Sequence, residues 1–156
     1  MLLRHLLRCL LLVVASAHAA DPVLAPNAPK DRPAPISSME RFDRAIAPYV
    51  KKARASYPQA KARYLAGLPA GQSFFLTTRV HDVAGSMEQV FIAVQSIHGG
   101  MVTGRIWSEV THVKGFRNGQ TYTFPEGEML DWLITKPDGS EEGNVVGKFL
   151  DTYDGR

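Results

Sequence analysis

Phe74-Phe75-Leu76-Thr77-Thr78-Arg79-Val80-His81, a turn at Asp82 to Ser86, and Met87-Glu88-Gln89-Val90-Phe91-Ile92-Ala93-Val94-Gln95-Ser96-Ile97 decide the fold of this 156-residue chain. Side chains alternate across a strand, so Phe74, Leu76, Thr78 and Val80 share one face of the first run and Phe75, Thr77 and Arg79 the other. In the second run Val90, Ile92 and Val94 oppose Phe91 and Ala93. Apolar groups on both sides predict a central strand covered on both faces, in a sheet that bends partly over itself.

The same period continues downstream. His98-Gly99-Gly100 supplies the backbone freedom for a hairpin into Met101 to Trp107, where Val102 and Ile106 oppose Thr103, Arg105 and Trp107. Asn118-Gly119 marks another turn before a short strand through Tyr122 and Phe124. Met129 to Thr135 reads as a fifth strand, Pro137-Asp138-Gly139-Ser140 as a turn, and Asn144 to Phe149 as the return strand. Connections this short exclude parallel crossovers, which need a dozen or more residues. The expected class is α+β, with N-terminal helices packed on a curved, mainly antiparallel sheet of five or six strands.

Upstream, Ser37-Ser38-Met39-Glu40 has the spacing of a capping box, and Phe42, Ile46, Tyr49, Val50 and Ala53 recur at helical intervals. Pro48 inside that pattern predicts a kink or a restart. Pro58 reads as the first turn of a second, short helix to Ala66, with Ala62 and Leu65 on one side and Gly67 closing it. The folded part therefore spans 37–156, roughly 120 residues, the size of one domain. Residues 20–36, with Pro22, Pro26, Pro29, Pro33 and Pro35, read as a linker or disordered arm.

Residues 1–19 carry Arg4 and Arg8, an apolar run from Cys9 to Ala15, and Ala17-His18-Ala19 in a small-x-small cleavage pattern. They read as a signal peptide, and the export it implies is to the periplasm, with full secretion as the alternative. The apolar run is too short to span a bilayer, so no membrane span is expected after cleavage. Cleavage would also remove the only cysteine and lower the basic excess from three to one. From residue 20 to 65 nine basic side chains face four acidic ones, whereas from 66 to 156 seven face eleven. A chain polar from end to end, without a general basic surface, argues against nucleic acid as partner.

Asp82, Gly85 and Glu88, Gly104, Gly119 with Phe124, the pair Asp131-Trp132, and Gly143 with Gly147 follow one another in an order that resembles the bacterial family called domain of unknown function 2314, over about residues 46–153. Gln89, Phe91, Ser108, Val110 and Gln120 stand where that family carries other residues. The resemblance implies a compact α+β domain of unassigned function and brings no catalytic residues with it.

Asp131-Trp132 is the sharpest local signal. Alternation makes Trp132 a core anchor with Leu130 and Ile134, and turns Asp131 to the opposite face. If neighbouring strands align, that face also carries Thr103, Arg105 and Trp107. An exposed Trp and Arg beside a carboxylate are residue types enriched in binding hot spots, which makes Arg105, Trp107 and Asp131 the candidate binding residues. The competing reading is an Asp131 to Arg105 cross-strand ion pair with Trp107 covered by a loop.

Glu126, Glu128 and Asp131 lie close enough in sequence to suggest the paired carboxylates of a glycan hydrolase, which need a set separation and one raised pKa. Yet Pro125 and Gly127 make both glutamates read as loop residues. His81, His98 and His112 lack metal-ligand spacing, and no Gly-x-Ser-x-Gly elbow is present. No metal or other cofactor is implied. The expectation is an exported, non-enzymatic domain that binds a protein or an envelope polymer, in one version an inhibitor or immunity-type protein of the periplasm. The competing classes are a cell-wall hydrolase using carboxylates near Asp131 and a structural envelope protein.

Overall fold

The computed structural model describes residues 39–154. The expected signal peptide, the proline-rich arm and the two serines of the capping box lie outside the described residues. Helix α1 (Met39–Ala66) is followed by strands β1 (Ser73–His81), β2 (Met87–His98), β3 (Met101–Ile106) and β4 (Thr121–Pro125). A single 3₁₀ turn (Glu126–Glu128) leads to β5 (Asp131–Thr135), β6 (Glu141–Gly143) and a short helix α2 (Val145–Leu150). All neighbouring strands pair antiparallel, in the order β4-β3-β2-β1-β5-β6. The architecture is α+β, an N-terminal helix on a six-stranded antiparallel sheet.

Two helical expectations are corrected. The N-terminal lead is one helix of 28 residues with both Pro48 and Pro58 inside it. Two interior prolines cost about 6 kcal/mol together. Both sit on the solvent side, and the residues four positions earlier, Arg44 and Arg54, are exposed as well, so each released carbonyl lies on the wet face. Against that cost, α1 buries Phe42, Ile46, Ala53, Tyr57 and Ala60, and each large apolar side chain contributes about 1.5–3 kcal/mol. Packing carries the helix through both breaks. It also sets the face, leaving Ala62 and Leu65 exposed and turning Tyr64 inward to stack on Phe74.

The second correction concerns residues 144–149, which are helical instead of forming the return strand. Gly143 (φ 76°) and Asn144 (φ 54°) both adopt left-handed backbone and end β6 after three residues. Beyond them Val146, Phe149 and Leu150 recur at helical spacing and pack against Phe42 and Ile46 of α1.

The inner face of the sheet holds the main core. Phe74, Leu76, Val80, Val90, Ile92, Val102, Ile106, Phe124, Trp132 and Ile134 pack there beneath Ala53, Tyr57 and Ala60 of α1. Trp132 is the anchor expected, and its indole Nε1 donates to Ala53 O at 3.1 Å and Ser56 Oγ at 3.0 Å. Arg54 Nε donates to Met129 O at 2.9 Å, and Lys61 pairs with Glu126 at 2.6 Å, so helix and sheet are also tied at their polar rim. Phe75, Ala93 and Leu133 form a separate cluster on the outer face, as alternation requires.

Candidate functional site

Strand register places the three candidate residues. Asp131 lies opposite Thr77, Thr77 opposite Phe91, and Trp107 N donates to Phe91 O at 2.8 Å, so Asp131, Thr77, Phe91 and Trp107 form one row across the outer face. Arg105 belongs to the adjacent row, between Ala93 and Thr121. Asp131 and the β3 pair share a face but stand three strand spacings apart, about 14 Å. No ion pair between Asp131 and Arg105 is possible at that separation. The structure brings Arg105 and Trp107 together and leaves Asp131 out.

Each side chain has a different local environment. Trp107 follows the last residue of β3 and is 36 % exposed, beside the half-buried Phe91. The guanidinium of Arg105 donates through Nη1 to Gly119 O at 2.9 Å, which ties β3 to the turn before β4. Thr103 and Thr123 hydroxyls meet at 2.8 Å on the same face, extending a polar margin toward the β4 edge. An aromatic plane, a held guanidinium and a row of hydroxyls are thus collected at one end of the outer face.

Asp131 is 2 % exposed and serves the fold. Its carboxylate accepts from Trp132 N at 2.8 Å and from Val146 N at 2.6 Å, the latter at the first turn of α2. Burial pushes its pKa up to about 6, although the backbone N–H groups of Val146, Trp132 and Gly147 pull the other way. Its role as a binding residue is therefore withdrawn in favour of a helix-anchoring one.

The other acids are likewise engaged separately. Glu126 reaches inward to Lys61, with Oε1 and Oε2 at 2.6 and 2.9 Å from Nζ. Burial raises its pKa, but the hydrogen-bonded ammonium of Lys61 helps to outweigh that, and the carboxyl is held below the usual range. Glu128 is exposed, whereas Asp131 is buried and held by backbone N–H groups. Two grooves of the surface, one lined by Tyr64, Leu68, Gln72 and Ile97 and another by Asp43, Val50, Arg54 and Arg79, include none of these three carboxylates. Among the described residues no group of three or more His, Cys, Asp or Glu side chains is placed to hold a metal ion.

Sequence reasoning missed Glu88 as a structural acid. Its carboxylate, 3 % exposed, accepts from the backbone N–H groups of Thr111, His112 and Val113, the shortest at 2.7 Å, and so pins the long loop between β3 and β4. A charged residue at an inward position of β2 was the available signal, because a buried carboxylate requires donors. No family model, curated protein or solved structure matches the chain.

Proposed function

We propose that this is an exported, non-enzymatic binding domain that takes a protein or an envelope polymer at the β3 end of its outer sheet face, working in the periplasm. The observation that carries the reading is Trp107, an exposed indole just past the end of β3 and two residues from Arg105 on the same face of the sheet. Trp and Arg are the residue types that dominate binding energy when a partner excludes water from them. The order of motifs shared with domain of unknown function 2314 is compatible with this assignment. No described helix is long and apolar enough to cross a membrane.

Co-sedimentation of the purified chain with isolated cell-wall polymer, and capture of envelope proteins on the immobilised chain, test the proposal side by side. Trp107→Ala should reduce capture at least tenfold while the far-UV spectrum and unfolding midpoint stay near those of the parent. Retention of full capture by both Trp107→Ala and Arg105→Ala would remove this face from consideration.

A further inference from the structure

Helix α1 carries seven basic and two acidic residues, whereas residues 67–154 carry six basic and eleven acidic. Part of that basic excess is absorbed by the fold, since Lys61 pairs with Glu126 and Arg63 with Glu142. Another part is gathered around a groove of about 430 Å³ where α1 passes the end of β1 and the approach to β5. Ile46, Ala47, Val50 and Leu130 give it an apolar lining, and Lys51, Arg54 and Arg79 give it cations. Asp43 is its one acidic residue among the described residues.

Two of the cations are fixed in place. Arg79 donates from Nη1 and Nη2 to the two carboxylate oxygens of Asp43, a paired fork. Arg54 donates from Nε to Met129 O at 2.9 Å and from Nη2 to Gly127 O at 3.0 Å, and neutral carbonyls leave its charge uncancelled. Among the described residues, Nε of Arg79, Nη1 of Arg54 and the exposed ammonium of Lys51 keep their N–H groups without a partner. With Asp43 matched by Arg79, the groove is electropositive over an apolar lining.

We propose that this groove binds a small aliphatic carboxylate, its head at Lys51, Arg54 and Arg79 and its chain along Ile46, Ala47, Val50 and Leu130. Each part of the ligand answers a part of the site. A guanidinium held in advance takes a carboxylate oxygen with little further loss of side-chain freedom, and methylenes removed from water favour the bound state in proportion to their area. The helical lining from Asp43 to Arg54 runs about 16 Å along α1, and the volume falls in the range of small-molecule sites, about 300–1,000 Å³. A bilayer or a folded acidic protein needs its cations on an open face, whereas these ring a recess. The groove shares no residue with the face of Arg105 and Trp107, so the two sites stand or fall separately.

Amide chemical shifts of the isotope-labelled full chain, titrated with octanoate below its micelle concentration, test the proposal. Saturable shifts should concentrate at residues 43–54, 79 and 130. Acetate, which lacks the chain, and octanol, which lacks the charge, should each bind about tenfold more weakly. Lys51→Glu and Ala47→Glu, both at exposed positions, should each weaken octanoate about fivefold or more while the rest of the spectrum is unchanged. An equal response to octanol and octanoate overturns the proposal, as does the lack of a saturable response at these amides or an affinity that neither variant changes. Broadening of the same amides by vesicles of an anionic phospholipid, with no response to octanoate, overturns it as well and makes the region a membrane contact.

Discussion

The carboxylate of Asp131 accepts a hydrogen bond from the backbone N–H of Val146 at 2.6 Å, and through it the sheet holds the first turn of α2. Val146 is wholly buried against Phe42 and Ile46, so the same contact fixes how the two helices meet. A residue that alternation marks as surface is thus a junction of the fold.

Titration of Asp131 should be visible in stability. Its folded pKa of about 6 lies above the ordinary 3.8, so the folded form holds its proton more tightly than the unfolded chain. The corresponding stability is fully present below the unfolded value and is lost as pH rises through about 6. Asp131→Asn, which keeps an acceptor and has no charge, should gain on the parent between about pH 4 and about pH 7 in urea unfolding. A pH-independent difference would contradict this assignment.

Glu88 works in the opposite sense. Burial raises its pKa, but the backbone donors of His112, Thr111 and Val113 together win and leave it below the usual range. Its contribution is present above the unfolded pKa and lost as pH falls through the depressed folded value. Glu88→Ala should cost about 1–3 kcal/mol by leaving buried N–H groups unpaired. Hydrogen exchange at residues 111–113 should accelerate first.

Gly104 lies against β2 with no room for a side chain: an added Cβ would collide with Ala93 O and with Ile92 Cγ2. Backbone cannot move aside as a flexible side chain can. Gly104→Ala should therefore cost about 1–3 kcal/mol and weaken the β2 to β3 pairing, read by thermal unfolding and by exchange of the β3 amides.

The two tryptophans should separate cleanly. Trp132, 8 % exposed and bonded to α1, should lose about 3–5 kcal/mol on replacement by Ala. Trp107, 36 % exposed, should lose less than about 1 kcal/mol. Unfolding of both variants in denaturant gives the comparison, and a large loss at Trp107 would place it in the core and end its candidacy as a binding residue.

Much of the sheet was legible because strand geometry is local. The parity of Phe74 against Phe75, or of Trp132 against Asp131, follows from the backbone alone, and each falls on the expected face. The Gly-containing turns at Gly85, Gly99 and Gly100, and Gly139 have the positive φ that their residues allow. The helices were less legible. Pro48 and Pro58 are strong local breakers, overruled by five buried side chains along the opposite face of α1. Residues 145–150 are too few for period 2 and period 3.6 to be told apart without knowing that Phe42 and Ile46 wait beside them.

From the sequence alone came the antiparallel α+β class and the sharing of a face by Arg105, Trp107 and Asp131. Both depend on short connections and on a two-residue repeat. Only the tertiary structure decided that β1 and β2 stand between β5 and β3, so that Asp131 never meets Arg105. Parity tells which side of a sheet a residue occupies, whereas distance across it depends on strand order, set by long-range pairing that no local pattern encodes. The same holds for charge: Asp131 became a buried anchor because α2 turned back onto it.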